Sequence, residues 1–140
     1  MPSPHSPVDM HKGLGRGMQT PERTKTEIAR SYLTDSQAFL IAAQVLERSR
    51  SKRITFAFSP KYYLVCQSIE LILKSYILVS GGTKKELMDI KIRHDLLQLF
   101  ERAIELGLAH KDQRVRPLIA ALAPLHAEHR FRYRRFYHRR

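Results

Sequence analysis

The sequence predicts an all-α fold, a four-helix antiparallel bundle, for its 140 residues. Three observations carry that prediction. Apolar residues recur at spacings of three and four, the period that gathers them on one helical face. Hydroxyl-x-x-Glu/Gln capping patterns open several of these stretches, and glycines close them. No stretch alternates apolar and polar residues as a half-buried strand would. The length suits one domain. The expected layout is a flexible leader over 1–19, a helical bundle over 20–125 and an Arg/aromatic-rich tail over 126–140.

The leader holds Pro2, Pro4, Pro7, Gly13, Gly15 and Gly17 and few large apolar groups. Such a composition does not offset the entropy of ordering. Thr20-Pro21 and Thr24-x-x-Glu27 are two early helix-start patterns. Thr34-x-x-Gln37 is the clearer start, because Ala38, Ile41, Ala42, Val45 and Leu46 then fall on one face up to Arg48. Arg48 to Arg53 is a polar exit, and Ile54 to Phe58 an extended connector.

Ser59-Pro60 restarts a helix with a cap and a first-turn proline. From Tyr62 to Val79 apolar residues surround the helix, the mark of an element buried among others. Gly81-Gly82 ends it. Thr83-x-x-Glu86 starts a short piece. Asp95 then opens a helix carrying Leu96, Leu97, Leu99, Phe100, Ala103 and Ile104, closed by Gly107. Asp112 caps a last helix with Val115, Leu118, Ile119 and Leu122. Pro117 belongs to its first turn, and Pro124 is expected to stop it.

Lys and Arg number 25 against 13 Asp and Glu, a net charge of +12. Residues 126–140 hold six of the arginines against Glu128 alone. Such a field favours polyanions or acidic partners. Cys66, the single cysteine, cannot form an intrachain disulfide and sits among apolar neighbours as a buried thiol. The N-terminus lacks the apolar core of a signal peptide. A membrane span over 62–79 would have to bury Glu70 and Lys74, so no membrane association is expected and the cytoplasm is the expected compartment. No phosphate-binding glycine loop follows a strand.

Two segments repeat a known order of parts. Cys66-Gln-Ser-Ile-Glu-Leu-Ile-Leu-Lys-Ser-Tyr-Ile77 runs to Gly81-Gly82, and Arg93-His-Asp-Leu-Leu-Gln-Leu-Phe-Glu-Arg-Ala103 runs to Gly107. With Glu70 and Lys74 on the central helix and His94-Asp95-Leu96 opening the next, the chain resembles the HEPN-like proteins (higher eukaryotes and prokaryotes nucleotide-binding) over residues 34 to about 123. Phe131-Arg132-Tyr133 is similar to a late element of one bacterial subgroup. The resemblance implies a four-helix bundle, often a homodimer. It further implies RNA or nucleotide as ligand, or a nucleotidyltransferase or antitoxin-like protein as partner. Some HEPN-like proteins are metal-independent ribonucleases with Arg, four to six residues, then His. Arg132 and His138 have that spacing here and are the candidate catalytic pair. Tyr133 replaces the usual polar residue after the arginine, and the pair lies beyond Pro124.

Read as residues, His94 and Asp95 suit capping and dipole complementation at a helix start. Glu70 and Lys74 stand at i and i+4, the favourable order for an ion pair. His126-x-x-His129 lacks the third and fourth ligands of a zinc site, so no metal and no cofactor are expected. In the tail, Arg130, Arg132, Tyr133, Arg134, Arg135, Arg139 and Arg140 suit phosphates and unpaired bases. The competing reading docks Phe131, Tyr133, Phe136 and Tyr137 on the bundle. A non-catalytic HEPN-like binding module is the leading expectation. The alternatives are the Arg132/His138 ribonuclease and a structural protein that binds an acidic partner.

Overall fold

A computed structural model of the chain describes residues 22–49 and 58–128. Among these residues the secondary structure is helical throughout, in five helices. They are α1 (Lys25–Arg48), α2 (Phe58–Val79), α3 (Lys84–Met88), α4 (Leu96–Glu105) and α5 (Val115–Ala127).

Helix α1 begins ten residues before Asp35, at the Thr24 capping box rather than the Thr34 one. The Thr24 hydroxyl accepts the Glu27 amide at 3.2 Å, and Glu27 accepts the Thr24 amide at 2.7 Å. At the expected start the chain is already helical, and Thr34 donates back to the Arg30 carbonyl at 3.1 Å. The buried face also differs from the expected one. Ile41 and Val45 are 60% and 63% exposed, while Ala29, Ser36 and Ala43 are buried. These small residues repeat every seven positions and let α1 lie close against α2. Ser36 donates to the Ser68 carbonyl at 2.9 Å, and Ser75 donates to the Ala29 carbonyl at 2.8 Å. Glu47 pairs with Lys61 further along. The order of the three contacts makes the two helices antiparallel. The spacing rule chose a large apolar stripe, but the seam selects for small side chains that permit close backbone approach.

Helix α2 is the centre of the core. Cys66, Leu73, Ile77 and Leu78 cluster with Leu96, Leu99, Phe100 and Ala103 of α4 and Ile119, Leu122 and Ala123 of α5. Its segment Pro60–Val79 is long and apolar enough to cross a membrane by length and composition. Here it is flanked by α1, α4 and α5. Gly81 takes a φ of +110°, which an L side chain rarely adopts. The Gly82 amide then reaches back to the Ile77 carbonyl at 2.8 Å, closing the helix in a Schellman turn.

The remaining elements follow their punctuation. Thr83 and Glu86 form the capping box of α3, and Glu86 accepts from Arg102 of α4 at 2.9 Å. Asp95 caps α4, accepting the Leu97 amide at 2.9 Å and the Gln98 amide at 3.1 Å. Gly107 ends α4 with the Leu108 amide bonded to the Ala103 carbonyl at 2.9 Å. Asp112 sits two residues before the cap: Arg114 occupies the cap of α5 without a side-chain bond, and Asp112 accepts the Arg114 amide at 2.9 Å.

Pro124 does not stop α5, which continues to Ala127. A proline there removes the one amide that would meet the Ala120 carbonyl. Its own carbonyl still accepts from Glu128 at 3.1 Å, so the last turn closes. The buried face of α5 is Ile119, Leu122, Ala123 and His126, whereas Leu118 points outward. His126 is thus part of the helical core.

Candidate functional site

Glu70, Lys74 and His126 are the buried acidic, basic and imidazole side chains among the described residues, and Lys74 and His126 both touch Glu70. Helix α2 supplies two of them one turn apart. Lys74 Nζ lies 2.5 Å from Glu70 Oε1. His126, on the last turn of α5, places Nε2 at 2.6 Å from Glu70 Oε2. His94, in the turn before α4, brings Nδ1 to 3.2 Å from Oε1 and 3.4 Å from Oε2. One carboxylate therefore joins three segments of the chain.

Burial raises the Glu70 carboxyl's affinity for a proton, but the donors outweigh it. Hydrogen bonds from His126 and Lys74, with the charges of Lys74 and His94, hold its pKa down to about 2. At neutral pH the carboxylate is ionised and accepts only. The facing nitrogens of both imidazoles must then carry the hydrogen and donate. No buried side-chain nitrogen or oxygen among the described residues lacks a partner.

Geometry limits the chemistry. A carboxyl ionised down to a pKa of about 2 is a weak proton acceptor at neutral pH. The imidazoles converge on the carboxylate itself, and among the described residues no three His, Cys, Asp or Glu side chains are grouped to hold a metal ion. Cys66 lies within reach of Glu70's field. Burial first, and that negative charge second, push its thiol up to about 11, which keeps it protonated. The His94 side chain is 47% exposed and is the member of the cluster that meets solvent. The cluster is built to clasp α2, α5 and the approach to α4 together.

Of the residues expected to matter, Glu70, Lys74 and His94 are brought together, and the i,i+4 pair forms as read. His94 does not cap α4; its ring turns to Glu70 while Asp95 does the capping. Arg130, Arg132, Tyr133, Arg134, Arg135, His138, Arg139 and Arg140 lie outside the described residues, as do the leader and His129. His126 is the member that the sequence reading missed, having been placed with the tail. The signal was present: 119, 122, 123 and 126 share one helical face, and a buried Glu70 has more acceptor sites than Lys74 alone can fill.

Comparisons with protein-family models, curated proteins and solved structures find no match for this chain.

Proposed function

We propose that this protein is a HEPN-like, four-helix binding module, non-catalytic and homodimeric, that engages RNA through cationic segments flanking a nearly neutral helical body. The observation that carries this reading is the partition of charge. Residues 22–49 and 58–128 hold 14 Lys and Arg against 12 Asp and Glu. Most of the remaining excess sits in Arg50, Lys52 and Arg53 and in the six arginines of 129–140. Those arginines alternate with Phe131, Tyr133, Phe136 and Tyr137, which pairs phosphate contacts with stacking surfaces for unpaired bases.

The Glu70 cluster supports a binding role over turnover. Its carboxylate is saturated by Lys74, His94 and His126, and its buried thiol neighbour stays protonated. The outward face of α1 suits the homodimer, since it presents Leu33, Leu40, Ile41 and Val45 on a helix packed chiefly on α2.

The test uses a fluorescent single-stranded RNA with the full chain, followed by anisotropy and by gel for integrity. Binding at low ionic strength without shortening of the RNA is expected. Absence of binding at low salt sinks the proposal. Cleavage that His138→Ala abolishes would replace it with the metal-independent ribonuclease.

A further inference from the structure

The corner around α3 combines exposed apolar and cationic side chains. Met88 and Ile90 are 76% and 78% exposed. Beside them lies an open depression of about 470 Å³ lined by Thr83, Lys85, Glu86, Met88 and Asp89. Of the two acids that line it, Glu86 is held by Arg102 at 2.9 Å, and Asp89, itself exposed, accepts the Lys91 amide at 2.9 Å. Lys85, Lys91 and Arg93 are exposed. No ion pair engages these three among the described residues. Among the described residues the corner therefore couples two bare apolar side chains to three cations outside any ion pair, which outnumber its one carboxylate outside any ion pair, Asp89.

We propose that this corner docks an acidic segment of a partner protein that carries a large apolar side chain, the apolar group seated beside Met88 and Ile90 and the carboxylates on Lys85, Lys91 and Arg93. Charge complementarity selects that occupant. The chain's own ends have the wrong sign, because 1–21 holds Lys12 and Arg16 against Asp9 and 129–140 has six arginines and no acid. A second copy offering the same corner would set like charges face to face. A bilayer surface makes no use of a concavity. The inference is independent of RNA binding by the tail.

The experiment uses the full chain with its methionine methyls labelled for NMR. The probe is a synthetic twelve-residue peptide alternating Glu with Leu and Phe. Controls replace Glu by Lys, or Leu and Phe by Ser. Vesicles of phosphatidylcholine and phosphatidylserine form a separate arm. The acidic apolar peptide should shift the Met88 methyl resonance, with both controls bound at least about tenfold more weakly. Ile90→Ser and the pair Lys85→Glu, Lys91→Glu should each weaken binding about tenfold, the size expected of a central apolar anchor. All these positions are exposed, and unchanged circular dichroism would confirm that the variants fold. A Met88 methyl that stays still while the peptide binds, equal binding by the lysine peptide, or unchanged affinity in Ile90→Ser overturns the proposal. So does a methyl that responds to vesicles and not to the peptide.

Discussion

Replacing Glu70 by glutamine keeps the side chain's shape and removes its charge. Lys74 would then be a buried cation facing an amide, and His126 would lose its anionic acceptor at 2.6 Å. Two routes give the size of the effect. Removing one partner of a buried ion pair costs about 3–5 kcal/mol. Holding the carboxyl at about 2, from an ordinary value of 4.5, is worth about 3 kcal/mol of stability by linkage. For a chain of this size that is a drop of roughly 10 °C in Tm. The sign with pH follows from the direction of the shift. A depressed folded-state pKa gives stability that is fully present above about 4.5 and lost as pH falls through about 2. Urea unfolding followed by circular dichroism at pH 7 and along a descending pH series would measure both. The wild type should lose about 3 kcal/mol between pH 5 and 2 through this group, and Glu70→Gln should lack that loss. Adding Lys74→Met should recover part of the stability, since the stranded cation is then gone. A Glu70→Gln change below about 1 kcal/mol, or no recovery in the double variant, would refute the clasp.

Three further outcomes follow from the packing. Ser36→Leu should cost about 1–3 kcal/mol by overfilling the α1–α2 seam, and Ser36→Ala about 1 kcal/mol through its lost bond to Ser68, both read by urea unfolding. Gly82→Ala should be the worse of the two glycine changes at the α2 terminus. A Cβ there falls 2.3 Å from Ile77 Cγ2 and 2.8 Å from the Ile77 carbonyl oxygen, whereas at Gly81 it meets open space and only the strain of φ +110°. We expect about 3 kcal/mol against 1–2 kcal/mol, and the reverse order would contradict the turn as described. Cys66, fully buried with its thiol held up to about 11, should resist a disulfide reagent in the native state and react at the rate of unfolding. Rapid labelling at neutral pH would show that this part of the core opens.

Local rules were legible wherever the deciding atoms are neighbours in sequence. The Thr83 capping box, the Asp95 cap, the glycine terminations and the Glu70–Lys74 pair all act within a few residues, and each forms as read. The errors share a physical cause in contacts between distant segments. Thr34 looked like a helix start because its hydroxyl could cap, yet the seam with α2 carries the helix straight through it. Ile41 and Val45 looked buried because they are large and apolar, yet close backbone approach selects Ala29, Ser36 and Ala43 instead. Pro124 looked like an end because it forfeits an amide, yet its carbonyl still accepts the Glu128 amide, and His126 on that final turn meets Glu70 of α2. The face shared by 119, 122, 123 and 126 marks His126 as inward, but its partner Glu70 lies 56 positions away and His94 joins the same carboxylate across 24, pairings that local spacing does not specify.

The account places RNA binding in the cationic flanks of a nearly neutral body, and the salt dependence of affinity measures that directly. Each phosphate neutralised on a single strand contributes a slope of about −0.7 in log affinity against log salt. The full chain and a full-length variant with the six arginines of 129–140 changed to glutamine would be compared on one single-stranded RNA. The account predicts a variant slope shallower by as much as about 4, with affinity at low salt falling in step. An unchanged slope would place the binding surface elsewhere and contradict it.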